Sequence, residues 1–133
     1  MLADDNLDHA TSIAMLLRTA GYDVRALPSG TLLLEQFSVF DPQVVILDLA
    51  MPQLTGYDVA RILRDDKRGA EVLMIAVTCY NNNTDRLMTK RAGFDHHIAK
   101  PVDPNTLTAL MRDYLAGNRP VRIDVIPDYE IQR

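Results

Sequence analysis

The length, composition and charge of the chain exclude several classes of protein. The chain has 133 residues, the size of one domain built around a single hydrophobic core. Its 47% of hydrophobic and 24% of charged residues exclude a disordered chain, a collagen-like repeat and a coiled coil. A formal net charge of -4 disfavours direct binding to nucleic acid. No apolar run is long enough to cross a bilayer, the chain opens without the features of a secretory signal, and one cysteine excludes an internal disulfide. We therefore expect a cytoplasmic domain without membrane contact.

The predicted elements alternate between strand and helix along the chain. Apolar residues recur at helical spacing in the first helix, and the continuous β-branched run 44–47 is typical of a strand buried on both faces. In chain order, the predicted elements are a strand at 1–3, a helix at 8–20, a strand at 22–27, a helix at 30–40, a strand at 44–47, a helix at 56–66, a strand at 72–77, a helix at 84–92, a strand at 97–99 and a helix at 104–116. This alternation predicts a doubly wound α/β fold, with helices on both faces of a parallel sheet.

Residues 117–133 differ from the rest of the chain. Val121, Ile123 and Val125 alternate with charged residues after the helix-breaking sequence that follows Ala116. A linker or tail is one interpretation, because chain termini are commonly loosely packed. The other is an extra edge strand, or a segment that packs on a partner protein.

Chemically active side chains follow four of the five predicted strands. Asp4 and Asp5 follow the first strand, Asp48 the third, Thr78 the fourth and Lys100 the fifth. Because functional groups collect at the carboxyl ends of parallel strands, we expect these side chains to meet at one edge of the sheet.

Three clustered carboxylates predict either a shared proton or a bound divalent cation. Like charges raise one another's pKa, so the three cannot all stay ionised without a counter-charge. Oxygen ligands favour Mg²⁺, and a lysine with a hydroxyl group suits phosphate oxygens. The pattern therefore indicates a magnesium–phosphate site with Asp48 as candidate nucleophile. Taken alone, Asp4 and Asp5 could equally be capping residues of the first helix.

These residues resemble the receiver domain of two-component response regulators over residues 1–116. The resemblance depends on Asp4-Asp5-Asn6, the block VVILDLAMPQLTGYDVARILR, Ala76-Val77-Thr78 and the stretch AGFDHHIAKPVD. It implies a single (βα)5 domain with a five-stranded parallel sheet of order 2-1-3-4-5. The histidine-containing stretch looks most like receivers attached to hybrid histidine kinases.

The resemblance also implies how the site holds a metal ion. Asp48 would be the phosphoacceptor and would bind Mg²⁺ together with Asp5 and the backbone carbonyl of Ala50. Asp4 would act through a water molecule. The phosphoryl donor would be a phosphohistidine on a histidine kinase or on a histidine phosphotransfer domain.

The remaining implied roles concern the phosphoryl group and the switch. Thr78 and Lys100 would contact phosphoryl oxygens, and the peptide bond before Pro101 would be cis. Thr78 and His97 would be the switch residues. At position 97, histidine replaces the Tyr or Phe that is common in the family. The output would be an unidentified downstream protein, because the 17 residues 117–133 are too few for a DNA-binding module. Such a domain is no enzyme in the usual sense, since it catalyses only its own phosphorylation and dephosphorylation.

Three alternative functions remain open. A small Mg²⁺-dependent phosphatase with an aspartyl-phosphate intermediate would need a second Asp where Ala50 stands. A flavodoxin-like cofactor binder would need a glycine-rich phosphate loop instead of Asp4-Asp5. A degenerate receiver would act only through protein contacts.

The chain departs from the family pattern in two places. The first strand has only three residues before Asp4. Cys79 follows Thr78 where the family usually has Ala or Gly, and we expect Cys79 to be a small buried residue.

Overall fold

Strands and helices alternate over residues 1–79 and 83–117, which are the residues that the computed structural model describes. The five strands are all parallel and form one sheet of order β2-β1-β3-β4-β5, which confirms the predicted doubly wound fold. In chain order, the elements are β1 (Leu2–Ala3), α1 (Leu7–Thr19), β2 (Ala26–Leu27), α2 (Gly30–Phe40), β3 (Val44–Asp48), α3 (Gly56–Asp65), β4 (Leu73–Thr78), α4 (Asn83–Ala92), β5 (His96–Ala99) and α5 (Pro104–Leu115).

Helices cover both faces of the sheet. Successive residues of β3 and β4 point to opposite faces, and every residue of these two strands is buried. One core cluster joins alternate strand residues to α2, α3 and α4 through Leu33, Phe37, Val59, Ala60, Leu63 and Ala92. The other joins the intervening strand residues to α1 and α5 through Ala10, Ile13, Ala14, Leu17, Leu107 and Met111. Within the described part of the chain, every helix is too short or too polar to traverse a lipid bilayer.

The second strand is shorter than the alternating pattern at 22–27 predicts. Only Ala26–Leu27 forms a strand, and it pairs with Leu2–Ala3 of β1. A strand needs a partner for its backbone groups, and β1 offers a partner only two residues long. The sequence pattern predicts a strand in this segment, but the number of residues in β1 limits the length of β2.

Helix ends lie within about a residue of their predicted positions. Asn6 caps α1, and Ser29 caps α2, in each case by accepting a hydrogen bond from a backbone N–H of the first turn. Gly21 and Gly93 follow α1 and α4 with φ of 98° and 103°, the left-handed conformation that glycine adopts most easily. The predicted boundary at 116/117 stays a prediction, and residues 118–133 lie outside the described residues.

The side chain of Arg64, at the end of α3, connects three parts of the backbone. Its guanidinium group donates to the carbonyl oxygens of Gly93 (2.9 Å), Gly69 (2.9 Å) and Val72 (2.7 Å). It also pairs with the fully buried carboxylate of Asp95 at 2.9 Å. The same carboxylate oxygen of Asp95 accepts a hydrogen bond from a backbone N–H of β4. Arg64 therefore fixes the loops before β4 and β5 against α3.

Candidate functional site

Three carboxylates meet at the carboxyl edge of the sheet, as the strand ends predict. Asp4 directly follows β1, Asp5 comes next, and Asp48 is the last residue of β3. One oxygen atom from each of the three side chains lies within 4.8 Å of the other two. Asp4 and Asp48 are buried, with 2% and 5% of their surface exposed, whereas Asp5 is exposed. We call Asp4, Asp5, Asp48 and Lys100 the acidic site.

Lys100 brings a positive charge into contact with two of these carboxylates. Its Nζ atom lies 3.2 Å from Oδ2 of Asp48 and 3.3 Å from Oδ2 of Asp4. Its backbone N–H donates to the carbonyl oxygen of Thr78 at 2.9 Å, and its peptide bond to Pro101 is cis. Lys100 thus connects the ends of β1, β3 and β4 from the end of β5.

The charges of the acidic site shift the pKa values of its buried members. Burial, together with the charge of Asp48, raises the pKa of Asp4 and outweighs the hydrogen bond from Asn6 and the charge of Lys100. Burial lowers the pKa of Lys100, but the carboxylates of Asp48 and Asp4 outweigh it and raise that pKa overall. Three carboxylates face one ammonium group, so the site keeps an excess of negative charge.

Local hydrogen bonds orient the carboxylates. Oδ1 of Asp4 accepts a hydrogen bond from the backbone N–H of Asn6 at 2.9 Å. The side chain of Asn6 in turn accepts from the backbone N–H of His9 at 3.2 Å and so begins α1. Oδ1 of Asp48 accepts from the backbone N–H of Ala50 at 3.1 Å. The turns that follow β1 and β3 therefore fix one oxygen of each buried carboxylate.

The first turn of α3 packs against the strand end that holds Asp48. A Cβ atom on Gly56 would lie 2.5 Å from the backbone oxygen of Asp48, closer than any side chain tolerates. Thr55 begins the helix with a capping box, in which it exchanges hydrogen bonds with Asp58. The closeness of Gly56 to Asp48 could not be predicted from the sequence, because it depends on the three-dimensional path of the loop 49–55.

Thr78 and His97 lie on the adjacent strands β4 and β5. Thr78 ends β4 and is buried, and His97 is half-buried and pairs in register with Ala76. Nδ1 of His97 lies 3.2 Å from Oγ1 of Thr89 on α4, and that hydroxyl group donates to the carbonyl oxygen of Arg86 at 2.8 Å. When the hydroxyl hydrogen points to Arg86, Oγ1 of Thr89 can accept a hydrogen bond from Nδ1–H of His97. The contact between the two side chains joins β5 to α4.

Two neighbours of the acidic site differ from the sequence analysis. Cys79 is exposed, so the expectation of a buried thiol is wrong: β4 ends at Thr78, and Cys79 lies beyond the covered sheet. His9, which the sequence pattern indicates only as an ordinary surface residue, has Nδ1 3.9 Å from Oδ2 of Asp4. The available signal was spacing, because α1 begins two residues after Asp5 and its first turn must lie beside the site.

The donor atoms of the acidic site fit a magnesium ion. The clustered ligands are carboxylate oxygens, and the backbone carbonyl of Ala50 follows Asp48 by two residues. Hard divalent cations prefer such oxygen ligands. Two of the carboxylates are buried with an excess of negative charge around them, which is the setting that a divalent cation stabilises.

Residues 1–112 match the family model of the response regulator receiver domain. The chain belongs to this family. Receiver domains are signalling modules, not classical enzymes, and the topology and strand-end site described above agree with that membership. The sequence-based identification as a receiver is thereby confirmed.

Relatives of this receiver domain include full-length response regulators and receivers of kinases. The DNA-binding response regulator MtrA of Mycolicibacterium paratuberculosis is 32% identical over 133 residues, which cover 98% of this chain and 58% of the relative. The chain therefore spans little more than half the length of the curated relatives it matches first.

Two similar structures are receivers of histidine kinases, and the one with more than 25% identity supports the resemblance to kinase-attached receivers. The receiver domain of a sensor histidine kinase from Pseudomonas aeruginosa has a TM-score of 0.80 and 27% identity, over 87% of this chain and 95% of that one. That structure has a magnesium ion coordinated in the active-site cleft. The signal receiver domain of a histidine kinase from Syntrophus aciditrophicus has a TM-score of 0.80 at 23% identity, over 95% of this chain and 94% of that one, and supports the fold.

Proposed function

We propose that this receiver domain accepts a phosphoryl group on Asp48 from a phosphohistidine of a histidine kinase or a histidine phosphotransfer domain. The observation that supports this most directly is the arrangement of Asp48, Asp4 and Lys100. A buried carboxylate at the end of the middle strand has a second carboxylate and an ammonium group in contact range. Phosphoryl transfer depends mainly on positioning and on neutralising charge, and this arrangement supplies both.

The chain's own residues would position and stabilise the transferred group. An oxygen of Asp48 forms the new bond to phosphorus while the phosphorus–nitrogen bond of phosphohistidine breaks and its electron pair returns to the imidazole. Lys100, which contacts Asp48 Oδ2 at 3.2 Å, would pair with a phosphoryl oxygen. The hydroxyl group of Thr78, at the adjacent strand end, would donate to another.

The ion that fits the acidic site is Mg²⁺. Asp5, Asp48 and the backbone carbonyl of Ala50 would hold it, and Asp4 would act through a water molecule. When bound, it supplies positive charge to the phosphoryl oxygens. Its two charges also offset the negative excess that three carboxylates leave beside Lys100.

An apolar hollow beside Lys100 offers the phosphoryl donor a place to dock. Its volume is about 260 Å³, and its lining includes Ile13 and Leu16 of α1 together with Val102 and Leu107. Leu7, at the start of α1, is 75% exposed. Apolar surface next to a reacting group favours a protein donor over a free small molecule, because burial of this surface stabilises the encounter.

The phosphorylated domain would act on a downstream protein through a change in Thr78 and His97. An aspartyl phosphate adds charge at Asp48, and the hydroxyl group of Thr78 would turn toward it. His97, hydrogen-bonded to Thr89 at 3.2 Å, would transmit the change from the sheet to α4. The downstream protein would then bind the surface formed by α4 and β5.

Intact-mass spectrometry after incubation with Mg²⁺ and acetyl phosphate tests the acceptor. We expect one added phosphoryl group that requires Mg²⁺ and is absent in Asp48→Asn. Asp113→Asn, which changes an exposed carboxylate of α5, is the matched control and should still be labelled. Labelling of Asp48→Asn would exclude Asp48 as the acceptor. An unlabelled protein that also fails to bind Mg²⁺ and beryllofluoride would favour a degenerate receiver.

A further inference from the structure

Thr89 is a buried polar residue that the proposed phosphoryl transfer does not use. Among the residues that the structure describes, the buried polar side chains are those of Asp4, Asp48, Thr78 and Thr89. The first three follow or end strands at the carboxyl edge of the sheet, whereas Thr89 lies within α4 and is 1% exposed. An apolar residue of the same shape would fill this place without the cost of burying a hydroxyl group. The hydroxyl group therefore points to a role other than packing.

The hydroxyl group of Thr89 connects its own helix to the sheet. Oγ1 donates to the carbonyl oxygen of Arg86, one turn earlier in α4, at 2.8 Å. The same atom lies 3.2 Å from Nδ1 of His97 on β5. With the hydroxyl hydrogen directed at Arg86, Oγ1 can accept a hydrogen bond from Nδ1–H of His97. The contact with His97 is thus an interaction with the sheet that a valine at position 89 could not make.

His97 in turn lies on the same face of the sheet as Thr78. In the register of β4 and β5, His97 pairs with Ala76, and Ala99 pairs with Thr78. Residues two apart along a strand point to the same face, so the side chains of Thr78 and His97 are diagonal neighbours. Ala76 and Ala92 of α4 belong to one core cluster, so α4 packs on this face. Thr78, His97 and Thr89 therefore follow one another from the end of β4 to α4.

A movement of His97 toward Thr78 would break its contact with Thr89. In the proposed function, the hydroxyl group of Thr78 turns toward the phosphoryl group on Asp48. Protein interiors are close-packed, so a neighbouring side chain fills the space that Thr78 leaves. Ala99, directly opposite Thr78, is too small to fill this space, whereas the imidazole ring of His97 is large enough. A ring that turns toward Thr78 moves away from Oγ1 of Thr89.

We propose that Thr89 is a positioning residue that holds His97 in the unphosphorylated arrangement of the domain. The contact between Oγ1 of Thr89 and Nδ1 of His97 is made before phosphorylation and is lost when the ring turns toward Thr78. This contact stabilises the unphosphorylated state and so opposes the change of state. The inference rests on the proposed function, because it concerns the switch that phosphorylation of Asp48 operates.

Binding of beryllofluoride, a mimic of the phosphoryl group, measures the effect of Thr89 in the presence of Mg²⁺. An interaction made only in the unbound state weakens binding by the factor with which it stabilises that state. A hydrogen bond of ordinary net strength gives a factor of about two to ten. Thr89→Val removes the hydroxyl group and keeps the shape of the side chain. We expect this variant to bind beryllofluoride about two- to tenfold more tightly than the parent in a ¹⁹F NMR titration, and Thr89→Ala to bind it more tightly as well.

Two further variants separate the proposed role from a purely structural one. Thr89→Ser keeps the hydroxyl group and should restore the affinity of the parent. Thr108 on α5 also donates to a carbonyl oxygen of its own helix, that of Pro104 at 2.9 Å, so Thr108→Val is the matched control and should leave the affinity unchanged. In ¹⁵N NMR of the imidazole rings, the Nδ1 resonance of His97 should shift in Thr89→Val and return in Thr89→Ser. The resonances of His9 should stay the same in all variants.

Two results would overturn the inference. A parent that binds beryllofluoride as tightly as Thr89→Val, or more tightly, would mean that Thr89 does not hold the unphosphorylated state. That result would leave the proposed phosphoryl transfer intact. A parent that binds Mg²⁺ but no beryllofluoride would overturn both the inference and the proposed function on which it rests.

Discussion

Replacing Arg64 with methionine should greatly reduce the free energy of unfolding. The guanidinium group donates to the carbonyl oxygens of Gly69, Val72 and Gly93 and pairs with Asp95, whose side chain is fully buried. Methionine keeps much of the apolar volume of arginine, so loss of packing contributes little. Removing one partner of a buried ion pair costs about 3–5 kcal/mol, because the other charge stays buried after its counter-charge is gone. Domains of this size have a stability of about 5–15 kcal/mol, so the loss is a large fraction of the total.

Urea unfolding followed by far-UV circular dichroism measures this loss, and the chain offers a matched control. Arg68 pairs with Asp66 at 2.8 Å, nearly the same distance as the Arg64–Asp95 pair, but its side chain is 57% exposed and that of Asp66 is 37% exposed. Water and salt screen such a surface pair, so Arg68→Met should leave the unfolding midpoint almost unchanged. Equal midpoints for the two variants would refute the argument that burial gives the Arg64 interactions their strength.

Three further predictions concern the acidic site. Burial raises the pKa of Asp4, so its contribution to stability is full below its ordinary pKa of 3.8 and is lost as the pH rises through the raised value. Asp4→Asn should therefore gain stability relative to the parent as the pH rises from about 4 to about 7 in urea unfolding; a pH-independent difference would contradict this. Gly56→Ala should lose about 1–3 kcal/mol of stability through overpacking, because the new Cβ atom would lie 2.5 Å from the backbone oxygen of Asp48. This loss should exceed the gain from the higher helix propensity of alanine. A variant more stable than the parent in the same assay would mean that the loop 49–55 moves to accommodate the methyl group. Lys100→Met should bind Mg²⁺ at least as tightly as the parent in calorimetric titration, because a competing cation is gone, yet should incorporate much less phosphate from acetyl phosphate. Weaker Mg²⁺ binding would mean that Lys100 positions the carboxylates more than it competes.

The order of the strands and helices was predictable because their apolar residues are spaced differently. Apolar residues recur at helical spacing in the helices and form continuous runs in the buried strands. The continuous apolar runs of β3 and β4 and the caps at Ser29 and Thr55 are local features, and local features can be read from the sequence. The length of β2 was not predictable, since it depends on how many residues of β1 lie beside it. Pairing between strands is a property of the sheet and not of either segment alone.

The candidate site was predictable to the extent that it follows strand ends. Asp4, Asp48 and Lys100 meet because parallel strands end at one edge, and the topology alone requires this. Contacts made by helices were missed, because their faces are fixed only when the helices pack. His9 beside Asp4 and Gly56 against Asp48 both belong to this class.

The hydrogen bond between His97 and Thr89 means that the residues at these two positions should be substituted together when parts of receiver domains are exchanged. Thr89 is 1% exposed, and its hydroxyl group already donates to the carbonyl oxygen of Arg86. An aromatic ring without a nitrogen at position 97 would remove the hydrogen bond between this buried hydroxyl group and His97. A chimera that grafts tyrosine or phenylalanine into β5 should therefore also take the donor's residue at position 89. The two substitutions together should be better tolerated than the change at position 97 alone.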